Sequence, residues 1–338
     1  MTTTSTERAR GALWGLAIGD ALGMPAQLLS RAEVVQRWGP LLAGFEAPDG
    51  DHPVAAGLAA GTVTDDTEQA LLVGELLVQG RLTPGDLAAA LLAWEERMTA
   101  LGSADLLGPS TKRACEAIRA GVPVAEAGRT GDTNGAAMRI APVGVAVPAT
   151  DLAALVDAVV RASSATHDTS VGLAGAAAVA AAVSTGVGGG TPGAAVGAAV
   201  EAARLAARRG HWVAGADVAA RITWACSLVR GLAPTAAADV VVELVGTSLA
   251  TQESVPAAFA VLTVHPDDPW AACRLAASLG GDADTIAAMA GALAGACAGV
   301  SGFPAGARDG VRLESAGLDP AAVDSLADRL LALRGTAT

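Results

Sequence analysis

Residues 280–299 read GGDADTIAAMAGALAGACAG, a stretch in which two acidic residues precede a long run of small apolar ones. A segment that carries no charge after its first few residues is typical of a helix buried on all sides. The two leading glycines allow a tight turn or a close approach of the backbone to a ligand. The stretch therefore predicts a buried helix that begins just after Asp282 and has Asp284 and the hydroxyl of Thr285 at its start.

A stretch of the same character lies toward the other end of the chain. Residues 61–68 read GTVTDDTE, and a helical pattern follows them. Alone, Asp65 and Asp66 fit an ordinary helix start, since such acids offset the positive end of a helix by about 0.3–1 kcal/mol each. Two such pairs at buried helix starts are more informative, because four carboxylates repel one another. A hard divalent cation such as Mg²⁺ removes the conflict, since it binds carboxylate, hydroxyl and water oxygens.

The rest of the chain shows helical periodicity in nearly every segment. No run alternates polar and apolar residues between hairpin turns. We therefore predict an all-α fold with at most trivial strand content. No linker is long enough to divide the 338 residues, and no repeat of fixed period is visible. The two acidic motifs can act together only if the ends of the chain meet, so we expect a single domain across residues 1–338.

Composition narrows the classes of function. Hydrophobic residues make up 52% of the chain, the net charge is −12, and Lys112 is its one lysine. A chain without a basic stripe is not expected to bind nucleic acid through nonspecific electrostatics. Residues 171–200 and 285–307 carry no charge, but they are rich in Ala and Gly. Buried core helices are therefore a better interpretation of them than membrane spans, and we expect no membrane partner.

The four cysteines are scattered along the chain and form no CxxC pair. Small buried thiols in a reducing cytosol are their expected state. The first ten residues, MTTTSTERAR, lack the apolar segment of a secretory signal. We therefore expect a cytoplasmic location.

Four short blocks follow one another along the chain: GDALGMP at residues 19–25, TDDT at 64–67, NGAAMR at 134–139 and GDADT at 281–285. Together they resemble the ADP-ribosylglycohydrolase family, which includes dinitrogenase reductase-activating glycohydrolases and J1-type crystallins. Thr166-His167 and the segment ESVPA at residues 253–257 fit further blocks of that family. The similarity runs from about residue 8 to residue 298, and an ordered set is far more specific than any single block.

The resemblance implies an all-α fold with a dinuclear site for two Mg²⁺ or Mn²⁺ ions. The positions that match the family's metal ligands are Thr64, Asp65, Asp66, Asp282, Asp284 and Thr285. Two neighbouring ions can bind ribose hydroxyls, position a water and lower its pKa. Attack at the anomeric carbon then displaces a nitrogen or oxygen leaving group. The implied activity is hydrolysis of a ribosyl N-glycosidic or O-glycosidic bond in an ADP-ribosylated protein or small molecule.

Other residues become candidates for the site through the same resemblance. The expected catalytic residues are Asp65, Asp66 and Asp282, with Asp132 as a general acid or base and Gln27 at a position that departs from the family. The expected substrate contacts are Asp20, Asn134, Gly135, Ala136, His167 and Gly281. Structural interpretations stay open beside these, since Asp20 could orient helix packing and Asn-Gly is a common turn. Arg139 could reach a phosphate or form a structural ion pair.

Gln27 is the departure that bears most on the substrate. Family members that remove ADP-ribose commonly carry a Glu shortly after the first block, where this chain has Gln27. Gln donates and accepts hydrogen bonds but cannot serve as a carboxylate base or an equally strong metal ligand. Two alternatives therefore stay open: hydrolysis of a smaller, nucleoside-like riboside, and a catalytically silent relative that binds a ligand.

Overall fold

The computed structural model describes residues 3–100, 107–313 and 317–335. In these ranges every regular element is helical, and the extended pairings are limited to three isolated bridges. The predicted all-α fold class is therefore confirmed. One apolar core runs from Ala9 in the first helix to Leu330 in the last, so these residues form one compact domain.

The described part of the chain contains seventeen α-helices, joined mostly by short loops and helical turns, with one long irregular connection over residues 39–64. They are α1 (Ser5–Gly23), α2 (Arg31–Trp38), α3 (Asp65–Val78), α4 (Pro84–Ala100), α5 (Pro109–Arg119), α6 (Val124–Ala127), α7 (Gly135–Met138), α8 (Ala141–Ala146), α9 (Leu152–His167), α10 (Ser170–Val187), α11 (Pro192–Ala206), α12 (Val218–Val229), α13 (Pro234–Val240), α14 (Thr251–Val264), α15 (Pro269–Ala277), α16 (Ala283–Ala298) and α17 (Pro320–Ala332).

Helix starts follow local signals in the sequence. Asp151, Thr169 and Asp217 each accept a hydrogen bond from the backbone N–H three residues further on, which is how an N-cap satisfies a free donor. Pro109 and Pro192 occupy the first positions of α5 and α11, where the missing N–H removes no helical bond. Local chemistry thus accounts for where the helices begin, while packing decides where they lie.

The first and sixteenth helices touch backbone to backbone, and this contact brings the two ends of the chain together. A Cβ on Gly11 would lie 2.3 Å from the carbonyl oxygen of Gly295, and one on Gly15 would lie 2.1 Å from that of Gly291. No side chain fits in that space, so glycine is required on α1. Gly11 faces Gly295 and the later Gly15 faces the earlier Gly291, so the two helices run antiparallel. The end of α1 therefore meets the start of α16.

Each uncharged stretch of the sequence contains a core helix, α10 in the first and α16 in the second. α10 is long and apolar enough to span a membrane by length and composition, but 89% of it is buried inside the molecule. Two consecutive helical segments, residues 5–26 and 31–38, also pass this test of length and composition when they are taken together. They meet at an angle of 94°. In α16 every residue from Ala283 to Cys297 is buried. These burials support the core-helix interpretation.

The cysteines are free thiols inside the protein. Cys115, Cys226, Cys273 and Cys297 are all buried. Loss of hydration raises the pKa of the Cys115 and Cys297 thiols to about 11. They therefore stay protonated and unreactive at neutral pH. The cytoplasmic location drawn from them stays a prediction.

Candidate active site

The two acidic segments lie side by side at the starts of α3 and α16. Thr64 caps α3 by accepting a hydrogen bond from the backbone N–H of Asp66 over 3.3 Å. The hydroxyl of Thr285, in the first turn of α16, donates to Oδ2 of Asp66 over 3.3 Å. Two helix starts that are more than 200 residues apart in sequence thus share one carboxylate. The convergence expected from the paired motifs is present in the fold.

Both segments line one cavity of about 210 Å³. Its wall also includes the loop after α1, the start of α5, the start of α7 and the loop before α14. The lining residues are Gln27, Leu28, Val54, Thr64, Asp65, Asp66, Leu107, Gly108, Pro109, Thr111, Asn134, Gly135, Met138, Leu249, Asp282, Asp284 and Thr285. The floor is therefore acidic, and much of the mouth is apolar.

Asp65 and Asp282 each have one oxygen held by a side-chain amide. Gln69, one turn further along α3, donates from Nε2 to Oδ2 of Asp65 over 3.1 Å. Asn134 donates from Nδ2 to Oδ2 of Asp282 in a short hydrogen bond. Each amide fixes the orientation of a carboxylate and leaves its Oδ1 free of that bond. The amide nitrogen of Asn134, a residue expected to contact the substrate, therefore supports Asp282.

Two other carboxylate oxygens have no hydrogen-bond partner at all. Oδ1 of Asp66 and Oδ1 of Asp284 are buried and unpaired within the described part of the chain, and both residues line the cavity. Leaving a buried polar atom unpaired costs about 1–3 kcal/mol, and more for a charged one. Such atoms are rare in native proteins and need a bound ion, water or ligand to account for them.

Burial raises the pKa of every carboxyl group in the cavity floor. Loss of hydration is the largest cause, raising the pKa of Asp282 to about 6 and that of Asp284 to about 8. The pKa values of Asp65 and Asp66 are raised well above their usual range by burial and then by the neighbouring carboxylates. The hydrogen bond from Asn134 lowers the pKa of Asp282 and so limits its rise. Without a counter-charge, the floor therefore retains protons at neutral pH.

These donors fit a hard divalent cation. Carboxylate and hydroxyl oxygens are the ligands that Mg²⁺ and Mn²⁺ prefer, and the unpaired oxygens of Asp66 and Asp284 are available for one. Among the described residues, no three Asp, Glu, His or Cys side chains are gathered closely enough to hold an ion as they stand. A bound ion would therefore need these side chains to turn toward it and the hydroxyls of Thr64 and Thr285 to complete the set.

Asp20 lies beneath the cavity floor and joins α1 to the start of α3. It is fully buried and accepts hydrogen bonds from the backbone N–H of Thr64 over 2.9 Å and of Thr67 over 3.2 Å. The hydroxyl of Thr67 donates to it as well, over 2.5 Å. Burial raises the pKa of Asp20 to about 7, although these bonds oppose the rise. Asp20 therefore positions Thr64, and it is not among the lining residues.

Gln27 lines the cavity beside the acidic floor, in a loop held by Gly281. The backbone N–H of Leu28 donates to the oxygen of Gly281 over 2.6 Å, and the N–H of Gly281 donates to Leu29 over 2.8 Å. This pairing holds Leu28 at φ 60°, a left-handed conformation that costs a residue with a Cβ about 1 kcal/mol or more. Gly281 itself has φ 67°. Its role in this structure is to hold the Gln27 loop.

The turn that contains Asn134 and Gly135 is supported from behind by His167. A Cβ on Gly135 would lie 3.0 Å from Cε1 of His167, so the ring packs directly on this turn. His167 is fully buried, which lowers its pKa well below the usual value and keeps the ring neutral. Neither His167 nor Ala136, which is also buried, is among the lining residues. Of the expected substrate contacts on this turn, Asn134 and Gly135 reach the cavity.

Asp132 does not join the cluster. Its side chain is 56% exposed and lies 4.0 Å from the guanidinium of Arg113, and it is not among the lining residues. Its backbone oxygen accepts a hydrogen bond from the hydroxyl of Thr251. In this structure Asp132 is a surface residue with an ion pair, and its expected role as a general acid or base stays a prediction.

Gln69 is a residue of the site that the sequence motifs did not single out. The spacing of Asp65 and Gln69 could have predicted their contact, because residues four apart meet on one face of a helix. The apolar mouth, formed in part by Leu28, Val54 and Leu249, had no sequence signal. These three side chains are 53%, 37% and 36% exposed.

Comparison with known proteins shows which family the chain resembles over its whole length. The sequence profile of the ADP-ribosylglycohydrolase family matches residues 1–338. The chain is 38% identical over 288 residues to the uncharacterized protein YegU of Escherichia coli K12, covering 84% of this chain and 86% of YegU. It is 32% identical over 148 residues to the ADP-ribosyl-[dinitrogen reductase] glycohydrolase of Rhodospirillum rubrum, covering 41% and 45% of the two chains.

A solved structure described as an ADP-ribosylglycohydrolase-related protein complex has the same fold. It superposes with a TM-score of 0.66 at 26% sequence identity and covers 97% of this chain and 98% of its own. The profile spans the whole sequence, and YegU is similar over most of its length. The chain therefore belongs to the ADP-ribosylglycohydrolase family.

Proposed function

We propose that this protein is a metal-dependent glycohydrolase that cleaves the bond between the anomeric carbon of a ribose and a nitrogen or oxygen leaving group. Membership of the family supports a glycohydrolase of the ADP-ribosyl type. The observation that carries the metal dependence is the pair of buried, unpaired oxygens on Asp66 and Asp284 in one acidic cavity. The residues proposed to hold two Mg²⁺ or Mn²⁺ ions are Thr64, Asp65, Asp66, Asp282, Asp284 and Thr285.

When bound, such ions would supply positive charge that polarises ribose hydroxyls and an attacking water. The residues of the chain have three tasks around that chemistry. Gln69 and Asn134 keep Asp65 and Asp282 in fixed orientations. A carboxylate of the cavity floor takes the proton that the attacking water releases. The buried walls exclude bulk water, which strengthens every charge interaction at the reacting carbon.

A second candidate, hydrolysis of a small uncharged riboside, rests on the cavity lining. No Lys or Arg is among the described residues that line the cavity. The start of α5 offers backbone N–H groups to an anion, but Lys112 and Arg113 in its first turns are not among the lining residues that could pair with a diphosphate. The apolar mouth and Gln27 favour an uncharged leaving group. Against it stands the named activity of the Rhodospirillum rubrum relative, which acts on an ADP-ribosyl protein.

A screen of ribosyl compounds tests the proposal. The purified protein is incubated with Mg²⁺, with Mn²⁺ or with a chelator, and released ADP-ribose or ribose is measured. The substrates are ADP-ribosyl-arginine, ADP-ribosyl-serine, an ADP-ribosylated protein and free nucleosides. We expect turnover of at least one compound that is lost in chelator. Metal-dependent ligand binding without turnover of any compound would instead identify a catalytically silent relative.

A further inference from the structure

Arg139 is a fully buried cation next to the acidic cavity, yet no carboxylate among the described residues pairs with it. Its side chain is 0% exposed. Nη1 donates to Oε1 of Gln69 over 2.8 Å, and Nη2 donates to the hydroxyl of Thr166 over 2.6 Å. A buried Arg is almost always paired with an acid, because an uncompensated charge is costly in the interior. The arrangement therefore calls for an explanation.

Gln69 carries the interaction from Arg139 to the cavity. Its amide oxygen accepts from the guanidinium, and its Nε2 donates over 3.1 Å to Oδ2 of Asp65. Because the oxygen is fixed by the cation, the amide cannot flip, and its N–H₂ group must face the carboxylate. One oxygen of Asp65 is thereby held, and the other is left free. A direct ion pair would be bidentate and would occupy both oxygens.

The second branch from Arg139 leads toward the other acidic segment. The hydroxyl of Thr166 is 2.7 Å from Nδ1 of His167, and Nε2 of His167 is 3.2 Å from the hydroxyl of Thr133. The next residue after Thr133 is Asn134, whose amide holds Asp282. One buried cation is thus linked through neutral groups to supports on both sides of the cavity.

We propose that Gln69 and Arg139 are positioning residues of the active site. They hold Asp65 with one oxygen free for a divalent cation, and they supply a positive charge beneath the carboxylates without competing for them. Supports of this kind commonly change metal affinity by about 10-fold to 100-fold when removed. The inference rests on the proposed function, since it assumes that the cavity binds a divalent cation.

The test measures Mn²⁺ affinity by calorimetry in the full-length protein. Gln69→Met keeps the side-chain length and removes both hydrogen bonds, whereas Gln79→Met makes the same change at the exposed end of α3. We expect Gln69→Met to weaken Mn²⁺ binding about 10-fold or more, and Gln79→Met to leave it unchanged. The same comparison on the background of Asp65→Asn should show little further effect of Gln69→Met, because the two residues act as a unit.

Three results would overturn the inference. The first is an unchanged Mn²⁺ affinity in Gln69→Met. A lower melting temperature in chelator with unchanged Mn²⁺ affinity would mean that Gln69 has a purely structural role. The second is an equal loss of Mn²⁺ affinity on Gln69→Met whether residue 65 is Asp or Asn. If Asp65→Asn itself abolishes binding, the comparison of the two Met variants decides. The third is the absence of any Mn²⁺ or Mg²⁺ binding by the wild type, which alone among them would also remove the proposed function.

Discussion

Gly19 and Ala287 are in direct backbone contact at the end of α1 and the start of α16. A Cβ placed on Gly19 would lie 2.0 Å from the carbonyl oxygen of Ala287. The residue after Gly19 is Asp20, which accepts the backbone N–H groups of Thr64 and Thr67. The close approach of two helices therefore sets where one acidic segment lies relative to the other.

Gly19→Ala should destabilise the protein, because the new methyl group can be accommodated only if the two helix backbones separate. We expect a loss of at least about 2–3 kcal/mol in the free energy of unfolding, measured by urea denaturation. Gly197→Ala is the matched control, since it lies inside α11 with open space around it. Ala there should raise the free energy of unfolding by about 0.4–1 kcal/mol. Equal effects at both positions would contradict the tight contact.

Asp284→Asn should weaken metal binding while leaving the fold intact. Without metal, the pKa of about 8 keeps Asp284 largely protonated at neutral pH, so an amide in its place should leave the melting temperature in chelator unchanged or higher. The increase in melting temperature on adding Mg²⁺ should shrink, because stabilisation by a ligand grows with its affinity. Glu201→Gln, an exposed acid that pairs with Arg204 on α11, serves as the control. An Mg²⁺-induced shift equal to that of the wild type would argue against Asp284 as a ligand.

Stability without metal should depend on pH through the same cluster. The pKa of Asp282 is raised to about 6 and that of Asp284 to about 8, from an ordinary value of 3.8. The folded protein therefore binds more protons than the unfolded chain between these values. The contribution of these two protonated carboxyl groups to the free energy of unfolding is complete below about pH 4. It is lost as the pH rises through 6 and 8.

Denaturation of wild type and Asp284→Asn in chelator, from pH 5 to pH 9, measures this effect. The variant cannot ionise at position 284, so its stability relative to wild type should increase as the pH rises. A difference between the two proteins that stays constant over this range would show that Asp284 titrates normally in the folded state.

Gln27→Glu should alter substrate preference, because the residue lines the cavity beside the acidic floor. A restored carboxylate can act as a base or metal ligand, which Gln cannot. We expect turnover of ADP-ribosyl substrates to rise relative to that of uncharged ribosides, in steady-state assays at saturating Mg²⁺. Gln79→Glu, at the exposed end of α3, controls for the added charge. Identical rates for wild type and Gln27→Glu on every substrate would show that this position lies outside the reacting region.

Part of the candidate site could be predicted from short motifs. Adjacent acids before a helical pattern place Asp65 and Asp66 in a first turn whatever the rest of the fold does, because helix starts are local. In the same way, Asp282 is the N-cap of α16 and Asp284 lies in its first turn. Asp132 shows the limit of this reasoning. A carboxylate two residues before a site loop has no fixed direction, and the fold turns its side chain to solvent.

Residues that act through other residues are difficult to predict from sequence motifs. Asn134 was expected to contact the substrate, and the structure adds a second role, because its amide nitrogen donates to Asp282, 148 residues away. The sequence left Arg139 with two alternatives, a phosphate contact and an ion pair, and no ion pair of Arg139 is present among the described residues. Its partners are the neutral side chains of Gln69, Thr111 and Thr166. Partners this distant in sequence are chosen by packing, which a motif does not record.

The sequence by itself determined the all-α class, the helix starts and the presence of two acidic segments, because periodicity, capping and composition act over a few residues. The tertiary structure alone decided that these segments share one cavity and which of their oxygens stay unpaired. The physical reason lies in α1 and α16, whose small residues permit backbone contact over their full length. That contact gathers carboxylates that would otherwise repel one another, and the cost of holding them together is what a bound cation would relieve.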